Sequence, residues 1–185
     1  MLKRTVTFLC LALFLASCGG SDGPDIIKTK SGLYGSREGK FLIEFPGKPI
    51  SGVIKSVLAG QEFNLYSLSY NQGVEHRYRV SYLDYPEEVL NAWKLDDLFD
   101  QIVQGGLVAT QDLYVAKREV DTNTYEKSIS YKIRSRSVPD ALGIIRVLQH
   151  EGRTYFIYFV AISNVPSTAD FYDFVNSFRI YKPKV

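Results

Sequence analysis

Apolar residues recur along this chain in two rhythms, and the switch between them divides it into elements. Lys40-Phe41-Leu42-Ile43-Glu44-Phe45 reads as a strand closed by Pro46-Gly47-Lys48-Pro49, where proline then glycine suits a type II turn. Strand-like runs follow over 50–58, 62–70 and 76–85, with turn signals at Gly60 and Asn71-Gln72-Gly73. In the last of these runs Tyr78, Val80 and Tyr82 alternate with Arg77, Arg79 and Ser81. Short strands at this spacing predict an antiparallel meander. Then Leu95, Leu98, Phe99, Ile102 and Val103 fall at helical intervals and form one apolar stripe. Asp96 and Asp97 near its start suit the helix dipole. Gly105-Gly106 is expected to end the helix or to begin its fraying, and Pro86 to open an earlier turn running through Trp93.

Alternation resumes over 113–120, 125–136, 143–150 and 153–162. The run from Tyr155 to Ile162 is apolar at odd and even positions alike, which predicts a central strand covered on both sides. Ser167-Thr168-Ala169-Asp170 is close to a capping box. Behind it Phe171, Phe174, Val175 and Phe178 make a second helical stripe, and Arg179-Ile180-Tyr181 trails off as a short edge strand. Apolar stripes must be buried on something, and sheet faces are the large candidates. The expected fold class is therefore α+β: a central antiparallel β-sheet of six to eight strands with helices packed on its faces.

The first 18 residues obey neither rhythm. Lys3-Arg4 precedes an apolar run of about a dozen residues and Leu15-Ala16-Ser17-Cys18. That run is too short for a bilayer-spanning helix, which takes roughly 20 residues, and the arrangement is that of an export signal. Leu-Ala-Ser-Cys resembles the lipobox of bacterial lipoproteins. The resemblance implies a signal peptide over 1–17, cleavage before Cys18 and lipidation of Cys18 by acyl chains. Gly19 rather than Asp after that cysteine resembles lipoproteins sorted to the outer membrane in enteric-type bacteria. From 18 to 38 the chain is rich in Gly, Ser, Asp and Lys, and a flexible tether is expected, with Ile26, Ile27, Leu33 and Tyr34 able to dock locally.

Cleavage changes the charge and the thiol chemistry. Losing Lys3 and Arg4 leaves 20 basic and 20 acidic side chains, without the electrostatic footprint of a nucleic-acid binder. Cys10 leaves with the signal, so the mature chain has no internal disulfide and no cysteine-based metal site or nucleophile. The 13 Tyr and 9 Phe that remain suit half-buried strands more than a ligand groove.

Gly39-Lys-Phe-Leu-Ile-Glu-Phe-Pro-Gly-Lys-Pro49 resembles the opening of small envelope proteins of the PsbP-like superfamily. Tyr78-x-Val-x-Tyr-x-Asp-Tyr-Pro86, Leu95-Asp96-Asp97-Leu98-Phe99-Asp100 and Phe174-Val175-Asn176-Ser177-Phe178-Arg179-Ile180 fit the same scheme. The similarity covers 39–182, within an expected domain over 39–185. It implies a central antiparallel sheet with helices on its faces. Characterised members are mostly non-enzymatic, among them extrinsic photosystem subunits and Ran-binding factors. Relatives often carry a Tyr-Pro-Gly turn and an acidic residue between helix and hairpin; Asp121-Thr122-Asn123-Thr124-Tyr125-Glu126 departs from that pattern.

Candidate chemistry is sparse. His76 and His150 lie at strand ends and make a site only if they, or a carboxylate, converge. Glu87-Glu88, Asp96-Asp97-Asp100 and Asp170-Asp173 stand near helix starts, where capping and the dipole account for them. Residues 121–132 lack the glycine of a calcium loop and place Lys132 where the closing glutamate belongs. No P-loop and no Gly-x-Ser-x-Gly elbow occurs. No catalytic residue, metal site or cofactor is assigned. Lys132, Arg134 and Arg136 share the polar side of one strand, and Arg77 and Arg79 stand on an earlier one. Together the five are a candidate anionic-ligand face; a solvated or charge-protected sheet margin is the plainer alternative. The expected function is a lipid-anchored envelope lipoprotein serving as a non-catalytic protein-binding or assembly module, not an enzyme. The alternatives are a small-ligand or glycan-binding lipoprotein and, third, an enzyme.

Overall fold

The computed structural model describes residues 23–58, 61–73, 76–108, 112–121, 127–162 and 168–182. Seven strands form one antiparallel sheet: β4 (Ile50–Leu58), β5 (Gln61–Gln72), β6 (His76–Asp84), β7 (Leu113–Asp121), β8 (Lys127–Ser135), β9 (Leu142–His150) and β10 (Arg153–Ala161). Their order across the sheet is β4-β5-β6-β10-β9-β8-β7. The strand that is apolar on both sides, β10, therefore sits in the middle. It leaves β9 through Glu151-Gly152, both at positive φ (50° and 78°), the two-residue turn whose twist matches a hairpin.

Each face of the sheet has its own cover. On the first face Tyr78, Val80, Ile144, Tyr155, Ile157 and Phe159 meet Phe41, Ile43 and Phe45, together with Phe174, Val175 and Phe178. On the second face Ile129, Tyr131, Ile133, Ile145 and Val147 meet Phe99, Val103 and Leu107. Leu65 and Leu83 on that face meet Val89, Leu98 and Ile102. The second cover consists of helices α1 (Glu87–Ala92) and α2 (Leu95–Val108). α1 begins after Pro86, as expected. α2 does not end at Gly105-Gly106. Leu107, 4% exposed, continues the stripe of Phe99 and Val103, and burying such a side chain, about 1.5–3 kcal/mol, offsets the cost of about 2 kcal/mol for two helical glycines.

The first cover corrects two expectations. It is mainly a second, four-stranded sheet ordered β1-β2-β3-β11, made of β1 (Ile27–Lys28), β2 (Tyr34–Ser36), β3 (Phe41–Ile43) and β11 (Arg179–Ile180). Helix α3 (Thr168–Asn176) lies beside it. The protein is thus mostly β, and helices alone do not clothe the large sheet. The strand starting at Lys40 belongs to the small sheet, and residues 23–38 belong to the fold rather than to a tether. Pro24 is buried, and Ile26 packs against the first core. Asp25 accepts hydrogen bonds from Ser36 Oγ (2.7 Å), Arg37 N (2.9 Å) and Glu38 N (3.2 Å). The Pro46-Gly47 bend is also not type II, since Gly47 is outside the left-handed region. Glycine there lets the Tyr70 ring pack close, since a Cβ would lie 2.5 Å from that ring. The capping box begins at Ser167, outside the described residues, as does the 122–126 turn.

Three polar clamps fasten the covers. Arg153 forks onto Asp84 (2.8 and 2.7 Å), donates to the Glu38 carbonyl and lies over the Tyr82 ring. Beside it Tyr155 Oη donates to the Gly39 carbonyl at 3.0 Å. Burial drives the Tyr82 and Tyr155 phenols up to about 12. Arg146 donates to Val175 O (3.3 Å) and Asn176 Oδ1 (3.0 Å), placing a cation at the C-terminal end of α3. On the other face Asp100 of α2 accepts from Arg118 Nε (2.8 Å) and Tyr131 Oη (2.6 Å), while Asp96 pairs with Lys127 and Arg118.

If the small sheet is integral, Phe41→Ala will weaken the whole domain. The Phe41 ring is fully buried, 5.8 Å from Phe178, 6.1 Å from Tyr82 and 6.4 Å from Tyr155. The expected cost is about 3–5 kcal/mol in urea unfolding, in a single transition. A loss under about 1 kcal/mol would show that the small sheet peels away independently.

Candidate functional site

The five proposed basic residues do not share one surface. Pairing places Arg79 opposite Tyr158, Tyr158 opposite Ile145 and Ile145 opposite Tyr131. Residues directly opposite one another point to the same side of a sheet, so Arg79 and Arg77 lie on the α2 face. The neighbouring row runs Tyr78, Phe159, Ile144, Lys132, which puts Lys132 and Arg134 on the α3 face. The single five-residue anionic-ligand face is thereby corrected to two separate groups. Arg79 is partly buried, and that burial draws its pKa down, opposed by Tyr158 and reinforced by Arg77.

The structure does gather Lys132, Arg134 and Arg136, at the margin formed by β7 and β8. β7 is an edge strand, exposed along most of its length. Tyr114 of β7 stands opposite Arg134, and the Arg136 guanidinium lies 5.6 Å from its ring centroid, within cation–π range. Tyr114, Arg134, Ser135, Arg136 and Pro139 line a shallow, open depression. The turn after β8 is rigidified by Asp112, whose carboxylate accepts from Ser135 Oγ and from Ser137 N at 2.8 Å. Ser135 Oγ in turn accepts from Val138 N at 2.8 Å. The Ser135 and Ser137 hydroxyls hold the Asp112 carboxyl below its ordinary range. Farther along the margin Lys132 lies 5.7 Å from the Tyr172 ring, and Glu119 bridges Lys117 and Lys132. The arrangement offers cations held against aromatic rings on a preset turn, suited to carboxylate, phosphate or sulfate groups.

The histidines occupy opposite ends of β10. His76 pairs with Ala161 and His150 with Arg153, eight residues or about 27 Å apart at strand rise. They cannot share a site. Among the described residues no three His, Cys, Asp or Glu side chains converge as a metal site would require. Nor is any helix among them long and apolar enough to cross a membrane. Asp96 and Asp100 are explained by the α2 clamp rather than by the dipole alone. Sequence reasoning missed Tyr114, Asp112, Asp84 and Arg153. The signal for Tyr114 was an exposed aromatic near two arginines, but only the β7–β8 register brings them together.

Comparison with known proteins follows the fold. No protein-family model matches the chain, and no curated protein matches it significantly in sequence. Among solved structures it is similar to the solution structure of cyanobacterial PsbP (CyanoP) from Synechocystis sp. PCC 6803. The TM-score is 0.55 at 14% identity, over 90% of this chain and 99% of that one. The fold is PsbP-like.

The clamp on α2 carries a pH signature. Lys127, its leading cause, holds the Asp96 carboxyl below 3.8, with Arg118 adding to the effect. A carboxyl lowered by folding stabilises the fold fully above its unfolded pKa and loses that contribution as pH falls through the folded value. Lys127→Met is therefore expected to lower stability at pH 7 and to leave a shallower decline as pH falls through and below the ordinary carboxylate range. Parallel acid-unfolding curves for the two proteins would count against the clamp.

Proposed function

We propose that this protein is an envelope lipoprotein, anchored through acylated Cys18, whose PsbP-like domain is a non-catalytic binding module. The β7–β8 margin is its docking surface for an acidic protein partner. Leu15-Ala16-Ser17-Cys18 behind a basic, apolar leader supports the anchor. The observation that carries the docking assignment is the exposed Tyr114–Arg136 stack beside Arg134 on a turn preset by Asp112. Aromatic and arginine side chains are the residue types that dominate protein interfaces. Enclosed small-molecule sites bury most of their ligand, and the open depression here suits an acidic side chain on a partner surface instead. The outer membrane is the proposed location, on the strength of Gly19 after the cysteine.

Two measurements test this reading. Cys18→Ala should abolish acylation by mass spectrometry and move the protein from the detergent phase to the aqueous phase. A photo-crosslinker placed at position 114 in the native envelope should capture a discrete partner. Arg134→Glu with Arg136→Glu should weaken that capture at least tenfold, equivalent to about 1.4 kcal/mol. Capture that ignores the charge reversal would remove the margin from the interface.

A further inference from the structure

The geometry points to a fixed orientation on the membrane: the β4 edge of the large sheet lies against the lipid surface, and the β7 edge is held away from it. This rests on the anchoring reading above and adds to it which surface meets the bilayer.

The described chain begins already fastened to the β4 edge. A Cβ on Gly23 would lie 2.8 Å from both Gly52 N and Ser51 Oγ, so the backbone of residue 23 runs directly against that strand. Pro24 is buried, and Asp25 is tied to the turn at 36–38. Only residues 19–22 separate this docked point from Cys18. Five Cα-to-Cα steps span at most about 18 Å even when fully extended. A folded body of this size has a radius of gyration of about 15 Å. The tether is thus well short of the body's width, at least ~30 Å for that radius of gyration, and cannot let it turn over.

What surrounds the attachment point fits a lipid surface. Ile50, the first residue of β4, is 51% exposed, the highest value among the exposed large apolar side chains. Lys48 just before it and Lys55 farther along β4 are exposed, while Glu62 stands toward the distant end of the hairpin. Ile50 and Lys55 project to opposite faces of β4, so along this edge an exposed apolar side chain next to Lys48 and a lysine on the other face suit contact with anionic headgroups. Six strand spacings separate β4 from β7, about 29 Å at ~4.8 Å each. Tyr114, Arg134 and Arg136 consequently face the aqueous side, where they meet a partner rather than headgroups of the anchoring leaflet.

The test uses the full chain, acylated at Cys18 in vivo and reconstituted in vesicles of phosphatidylcholine with 30% phosphatidylglycerol. A single environment-sensitive fluorophore is attached through Ile50→Cys, Lys55→Cys or Tyr114→Cys, and nitroxide-bearing lipids serve as quenchers. The expected result is at least twofold stronger quenching at 50 and 55 than at 114. Inserting 20 Gly/Ser residues between 22 and 23 should abolish that difference. Equal quenching at all three positions, in protein that floats with the vesicles, overturns the orientation and leaves the anchor standing. Protein that does not float, with an unmodified Cys18 by mass spectrometry, overturns the anchor and the orientation with it.

Discussion

A central strand with no polar side dictates the architecture. Tyr155, Ile157, Phe159 and Ala161 of β10 project to one face and Thr154, Phe156, Tyr158 and Val160 to the other, all buried or largely so. An antiparallel sheet normally leaves one face to water. Here β10, and β9 apart from Arg146 and its polar C-terminal end, are apolar on both faces, so the domain must supply two covers. Chain economy explains their difference: the 87–108 segment, inserted between β6 and β7, closes one face with helices. The other face is closed by the two ends of the domain, residues 23–45 and 168–180, joined through pairing of Phe41 with Ile180 and Leu42 with Arg179. The small sheet is therefore a consequence of β10, since neither terminal segment is long enough to make a stable layer alone.

Covers held only by apolar contact would be free to slide. Each is instead pinned at its border by a charged side chain from the large sheet, with the guanidinium as the recurring device. Arg153 reaches the turn between β2 and β3, Arg146 the end of α3, and Arg118 with Lys127 the start of α2. Arginine suits the task because its planar fork satisfies two acceptors while its stem lies along apolar surface. These groups sit at the rim of the cores, where the desolvation cost of a fully buried ion pair is avoided.

This division marks what was legible in the sequence. Within one strand the two-residue period is local, so the double-sided character of 155–161 and its central place could be read directly. The helical stripes of 95–103 and 174–178 were legible for the same reason. Which side one strand shares with another depends on hairpin register, a long-range property, and a slip of one residue exchanges the faces. That is why Arg77 and Arg79 separate from Lys132 and Arg134, and why Tyr114 went unnoticed beside Arg136. The strands of the small sheet, two or three residues each, are too short to display any period. Residues 23–38 accordingly resembled a linker. Gly47 and Gly105 misled in a related way: one is small because a tyrosine ring approaches it, and the other is tolerated because Leu107 beyond it is buried.

An open sheet leaves two edges, each a template for unwanted pairing unless it is blunted, and the two edges here are blunted differently. On β7 the register breaks between Val115 and Lys117, and Lys117, Arg118 and Glu119 follow in succession. That combination of bulge and charge discourages another strand from adding, yet leaves Tyr114 and the arginines accessible to side chains. β4 has a weaker defence in its own sequence, with Ile50 exposed and glycine at position 52. The backbone at Gly23 approaches it closely at Ser51 and Gly52. The N-terminal stretch of the described fold thus lies against the less charged edge, whereas the β7 edge relies on its own bulge and charged side chains.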